Sequence, residues 1–374
     1  MIQGPILVFL LFAIVSLPFS ILDYGKKTFS VKLLYKFIFF CCLFYFIIVA
    51  GARYCPRSDW INYMGAFEAS GRIGSIYFPR YFEIGFEFLI NVIKTFSNHY
   101  IVFFITYEII VCFFLYYNIK KYFGYSISVC CLYFPIIFLT LDMIQMRTLM
   151  AVQIFIFSIQ YIKEKKIIQY FLYILCASTI HITAIILFPM YFILNRRYKS
   201  STIIIITIFG ILINLFQIDF VIPMIRLISP MMGEYINNKI TAYVFSGNLF
   251  SRSLGLIHLE FIVFFVLFMK YRKNIESGNI YANIFLNLYI LYGADIFYLW
   301  KVLMFSGRLK FYFILSLIFL LPRLLKINRK SFLFAFVCYI SYVLLMVIYV
   351  VYYQSTFGKE SPLFYFEYAN YFFL

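Results

Sequence analysis

The chain has 374 residues, of which 64% are hydrophobic and only 13% charged, with a formal net charge of +17. A soluble domain carries roughly a quarter charged residues, and several apolar runs here reach the ~20 residues that cross a bilayer. The composition therefore excludes a soluble enzyme and defines a polytopic membrane protein. The positive charge does not call for nucleic acid, because cytoplasmic loops of membrane proteins gather Lys and Arg.

Apolar segments cover 4–22, 31–51, 100–118, 126–142, 147–162, 167–194, 201–217, 254–270, 280–300, 309–326 and 331–353. The first has no basic residue before it, while Lys26, Lys27, Lys32 and Lys36 follow it. A secretory signal has the reverse order, so this run reads as a retained span with its N-terminus outside. Six basic clusters, at 26–36, 120–121, 163–166, 196–199, 270–273 and 323–330, hold 19 of the 32 positive residues. Placing all six in the cytoplasm fixes the orientation and predicts ten to twelve transmembrane helices in one integral domain, 1–374. Two long loops, about 52–82 and 218–253, then lie on the outer face.

The first of these loops begins with GARYCPRSDWINYMGAF, which carries Arg53, Arg57, Asp59 and Tyr63, and Arg80 follows. Guanidinium forks bind phosphate and carboxylate oxygens bidentately. The competing reading is a solvated loop with structural Arg–Asp pairs. Next, Glu83, Glu87, Asn91 and Lys94 recur at spacings of four, four and three, which places them on one helical stripe. The segment 83–97 is expected to be an amphipathic helix at the outer interface or along a cavity, with 100–118 as the span that follows.

Asp142 and Arg147 fall at an outer boundary between two spans. Arg147 opens a helix, where a cation opposes the macrodipole, so it requires an anion; Asp142 or a snorkelling conformation is the structural alternative. The 28 residues of 167–194 lie between two cytoplasmic clusters and are short for two spans of ~17–25 each. They predict a tight hairpin or re-entrant pair turning near His181. An ionisable group inside an apolar segment is a functional hypothesis by default, although a lone His is also a common packing residue. Arg252 lies in the second outer loop, and Arg308 follows Gly307 at a further outer boundary. Seven of the eight cysteines fall in apolar runs and His99, His181 and His258 are scattered, so no disulfide framework, metal-ligand cluster or cofactor is implied.

The ordered set GARYCPRSDWINYMGAF, EIGFEFL, MRTLMAVQIFIFSIQYIKEKK, ASTIHITAIILFPMYFI, SGRLKFYF and SPLFYFEYANYFF resembles the EpsG-like family of Wzy-type polysaccharide polymerases over about residues 35–370. The resemblance implies an all-α, GT-C-like membrane glycosyltransferase with re-entrant or amphipathic segments. It would act on undecaprenyl-diphosphate-linked oligosaccharide repeat units at the periplasmic face of a bacterial inner membrane, making O-antigen or related polysaccharide. Its partners would be that lipid-linked glycan, membrane lipid and a chain-length regulator protein. The resemblance carries Arg53, Asp59, Tyr63, Glu83, Arg147, His181 and Arg308 over as site residues. Ser58 precedes Asp59 where the family pattern has Gly, which bears on the loop's conformation more than on its charge.

On these expectations Arg53, Arg57, Tyr63, Arg80, Arg147, Arg252 and Arg308 bind the diphosphate or acceptor. With no DxD-like motif on the outer side, the reaction is expected to be metal-independent, with arginines balancing the leaving group's charge. Asp59, Glu83 and His181 are the candidate catalytic groups, unranked. An O-antigen ligase or other polyprenyl-linked glycosyltransferase, a lipid-linked oligosaccharide flippase, and an acyltransferase using His258 and Glu260 are the alternatives.

Overall fold

In a bilayer each backbone polar group must be satisfied within its own segment, so long apolar runs become helices. The computed structural model describes residues 4–25, 28–54, 59–71, 81–232, 254–327, 332–356 and 369–370, and they are almost entirely helical. The chain divides into two units, 1–188 with 328–374, and 189–327.

In the first unit, α1 (Gly4–Phe19) runs into a 3₁₀ turn, Ser20–Asp23. There follow α2 (Phe29–Gly51), α3 (Asp59–Ala69), α4 (Ile84–Phe96), α5 (Tyr100–Phe123) and α6 (Ile127–Tyr133). A nine-residue π-helix, Phe134–Asp142, continues α6. Pro135 near its start has no N–H to give to the regular helical ladder, and π segments recur at functional places. Then come α7 (Met146–Lys163), α8 (Ile167–Ile180) and a 3₁₀ helix, Ile182–Leu187. A closing helix, Phe332–Thr356, completes the unit. Strand pairing among the described residues is one two-residue antiparallel ladder, Arg53 opposite Asn370 and Tyr54 opposite Ala369.

Helix α5 is central: it packs against α2 and α7, and α7 packs against α8. One end of the unit is tied by Asp23. Its carboxylate accepts from the backbone N–H groups of Ile127 (3.2 Å) and Ser128 (3.0 Å) and from Ser126 Oγ (2.7 Å). A carboxylate over the first N–H groups of α6 satisfies donors that have no intrahelical partner. The expected turn of 167–194 is present: α8 ends at Ile180, and Tyr170 Oη donates to Leu187 O at 2.7 Å, so the chain reverses at His181.

The second unit contains α9 (Met190–Leu194), α10 (Ser200–Leu215), α11 (Val221–Ile228), α12 (Leu256–Lys270), α13 (Arg272–Ser277), α14 (Ala282–Tyr298) and α15 (Leu303–Ile327). Helix α14 packs on α15 and α10. At the end bearing the basic clusters 196–199 and 270–273, Arg272 donates to Glu276 (2.5 Å), Ser200 Oγ (3.1 Å) and Tyr198 O (2.8 Å). At another point Lys301 pairs with Asp219 at 2.9 Å, and Asp219 also accepts from Ile222 N–H at 3.1 Å, near the start of α11.

Three described helices are long and apolar enough to cross a membrane: Phe29–Gly51, Tyr100–Phe123 and Phe332–Val350. Shorter apolar helices cover Val8–Asp23, Ile127–Asp142, Ile167–Ile180, Ser200–Leu215 and Val221–Met231. Large side chains such as Phe37, Phe44 and Phe113 stand exposed on the long helices, which in a bilayer is the lipid face. The expected amphipathic helix forms as α4, but its polar stripe is turned inward. Glu87 and Asn91 are buried while Ile84, Phe88 and Phe96 are exposed, and Lys94 Nζ donates to the backbone carbonyls of Phe67 and Glu68 at 2.5 Å each.

Candidate active site

Three helix ends in the first unit converge on one carboxylate. Glu83 is the N-cap of α4, with an extended backbone. Arg147 is the second residue of α7, and His181 is the C-cap of α8. Each stands at a helix end, so the three side chains meet where α4, α7 and α8 start or stop.

Arg147 Nη1 donates to Glu83 Oε2 in an ion pair. Glu83 Oε1 accepts from His181 Nδ1 at 3.2 Å and from the Ile182 backbone N–H at 3.3 Å. The carboxylate thus supplies the anion that a cation at the start of α7 requires. The neighbouring Asp142 does not pair with Arg147; it turns into the interior, 1% exposed. Burial alone would raise the Glu83 carboxyl, but the His181 hydrogen bond and the Arg147 charge outweigh it and lower it to about 2. Glu83 is therefore ionised across the physiological range.

The arginine is held on its other faces as well. Its guanidinium lies over the Phe82 ring, 4.3 Å from the centroid, a cation–π contact. The arginine's charge also acts on the Tyr63 hydroxyl, from α3. Tyr63, Phe82 and Phe86 pack together with ring centroids 5.4–5.6 Å apart. Gly85 permits the docking of α4 on α8: a Cβ there would stand 2.9 Å from both the Cβ and the carbonyl oxygen of Thr179. That approach brings Glu83 to His181.

The structure thus brings Glu83, Arg147, His181 and Tyr63 together. Asp59 opens α3 one turn before Tyr63, and its charge acts on that tyrosine. Arg53 points inward, 1% exposed, donating to Ala50 O at 2.6 Å with its guanidinium 5.2 Å from the Phe104 ring centroid. Arg308 belongs to the second unit, near the start of α15. Arg57, Arg80 and Arg252 lie outside the described residues. Among the described residues no group of three or more His, Cys, Asp or Glu side chains is arranged to hold a metal ion. Sequence reading missed Phe82, a site aromatic with no marker, and the buried acid Glu108 of α5. Glu108 did have a marker: it is an ionisable residue within the apolar run 100–118,.

The fold and this cluster define a multi-helix membrane protein whose helix ends gather an arginine, a carboxylate and a histidine. The chain belongs to the EpsG family, whose model matches residues 35–373, nearly its whole length. This is a Wzy-type polysaccharide polymerase-like family. No curated protein and no solved structure matches the chain.

Proposed function

We propose that the protein polymerises undecaprenyl-diphosphate-linked oligosaccharide repeat units into surface polysaccharide at the outer face of the bacterial cytoplasmic membrane. The observation that carries this reading is the single carboxylate, Glu83, shared by Arg147 and His181, in a chain of the EpsG family.

A carboxylate that accepts from Nδ1 selects the imidazole tautomer with its lone pair on Nε2. His181 is then the general base and Glu83 its orienting partner, since a carboxyl lowered to about 2 is a poor proton acceptor at neutral pH,. In the transfer, the acceptor hydroxyl gives its proton to His181 Nε2 and its oxygen bonds to the donor's anomeric carbon. The bond from that carbon to the diphosphate oxygen breaks, and the lipid diphosphate leaves with the electron pair. Arg147 is placed to meet the charge growing on that leaving group. A guanidinium already paired with Glu83 and seated over the Phe82 ring is pre-oriented, so it need not be ordered during the reaction,. We assign Arg308 to binding of the lipid-linked substrate, and Asp59 to the orientation of α3 beneath Tyr63.

The surface glycan of a deletion strain tests the reading. Loss of a polymerase leaves a single repeat on the lipid anchor or its acceptor. Loss of a ligase or flippase leaves no transferred repeat, and that result would replace this proposal.

A further inference from the structure

The first unit holds a second set of charged groups that the proposed reaction does not use. Glu108, in the middle of α5, is 0% exposed, Asp142 at the end of the π-helix is 1% exposed, and Arg53 is 1% exposed. The two carboxyls are in contact, and the Arg53 charge acts on both. The backbone allows this approach because Gly51 ends α2 directly against α5: a Cβ there would stand 3.0 Å from Ile105 Cα and 3.4 Å from Glu108 Cβ.

Among the described residues, no donor reaches either oxygen of Asp142 or Oε2 of Glu108. Among those residues Glu108 Oε1 has one weak donor, Cys112 Sγ, at 3.6 Å. Two ionised carboxylates are acceptors only, and their contact in a buried site is repulsive. One arginine balances one of them, and a second bare anion away from water is costly. The other titratable groups on which these carboxyls act are Tyr107 and Cys112 of α5 and Tyr133 of α6, with Tyr63 of α3 beside Tyr107, all neutral hydroxyls or thiols at neutral pH. A single proton between the carboxyls resolves both problems, turning a repulsive contact into a hydrogen bond and leaving one negative charge opposite Arg53.

We propose that Glu108 and Asp142 share one proton and, with Arg53, form a charge-balanced layer that positions the turn bearing Arg147. Asp142 ends the π-helix, and the turn that follows is closed by Met143 N–H to Phe138 O (3.1 Å) and Gln145 N–H to Leu141 O (2.7 Å). On the other side of that turn Tyr107 Oη, next to Glu108 in sequence, donates to Met146 O at 2.5 Å. The residue after Met146 is Arg147. Asp142 and Tyr107 therefore hold both ends of the turn that presents the guanidinium to Glu83.

Infrared spectroscopy of the purified full chain at pH 7 tests the shared proton. The wild type should show a protonated-carboxyl C=O band that loses intensity in both Glu108→Gln and Asp142→Asn. In each variant the amide takes the place of the neutral partner, and the remaining carboxylate pairs with Arg53. No such band in the wild type, or full intensity in either variant, overturns the proposal.

Thermal melting supplies a second readout. Arg53→Met should lower the melting temperature, and adding Asp142→Asn should recover at least part of the loss, because the remaining carboxyl can stay neutral. A double variant no more stable than Arg53→Met alone overturns the charge balance. The link to elongation rests on the polymerase reading. There, Asp142→Ala should slow elongation by roughly 10–100-fold through misplacement of Arg147, while Asp142→Asn retains most of it. If wild-type protein elongates nothing, the polymerase reading fails while the infrared result still stands or falls by itself.

Discussion

Replacing Glu83 with Gln keeps the side chain's shape and removes its charge. The variant loses the ion pair to Arg147 and the ionised acceptor for His181 Nδ1. A carboxyl lowered from 4.5 to about 2 by its folded surroundings corresponds to ~3 kcal/mol of stabilisation. Only 21% of the side chain is exposed, so solvent screening takes away little of this. For a unit of this size that is about 5–10 °C in melting temperature. The sign follows from a depressed carboxyl: the stabilisation is complete above about pH 4.5 and is lost as pH falls toward about 2,. Thermal melts of wild type and Glu83→Gln in detergent should therefore differ most near neutral pH and converge on acidification between those values. A Glu83→Gln protein that melts with the wild type at pH 7, or a gap unchanged down to pH 3, would refute the ion-pair assignment.

Three further substitutions probe the cluster. His181→Gln removes the proposed base while keeping a hydrogen-bonding side chain of similar reach, and should cut elongation by roughly 10²–10⁴-fold with the protein still folded; near-normal elongation would move the base role to Asp59. Arg147→Lys keeps the charge but loses the planar fork that pairs with Glu83 and lies over the Phe82 ring,, so elongation should fall sharply while membrane insertion, checked by fractionation, stays normal; unimpaired elongation would remove Arg147 from the leaving-group role. Gly85→Ala places a Cβ against Thr179 and should destabilise the unit by ~1–3 kcal/mol through overpacking; an unchanged melt would show that α4 and α8 separate without cost.

The helices were legible because the signal is local. An apolar run such as 147–162 carries its own backbone satisfaction, and it appears as Met146–Lys163. The break at His181 was legible from length, since 28 residues between two basic clusters had to turn back. The stripe on 83–97 gave the helix but not the direction of its polar face. Bilayer surroundings reverse the rule for water, so Glu87 and Asn91 are buried while Ile84 and Phe88 face outward. Partner choice was the least legible feature. Proximity in sequence offers Asp142 to Arg147, five residues away, but the guanidinium pairs with Glu83, 64 residues distant. Asp142 is taken instead by Glu108 and Arg53, a meeting that depends on how the end of α2, the middle of α5 and the π-helix align in space. No spacing along the chain encodes that alignment.

The most direct test of the account is reconstitution. Purified wild-type protein and its His181→Gln variant would each be incubated with a synthetic repeat unit on undecaprenyl diphosphate, and the products separated by size. The account predicts a ladder of multimers with release of undecaprenyl diphosphate for the wild type, and unreacted single repeats for the variant. Single repeats from active, folded wild-type protein, or equal ladders from both, would contradict it.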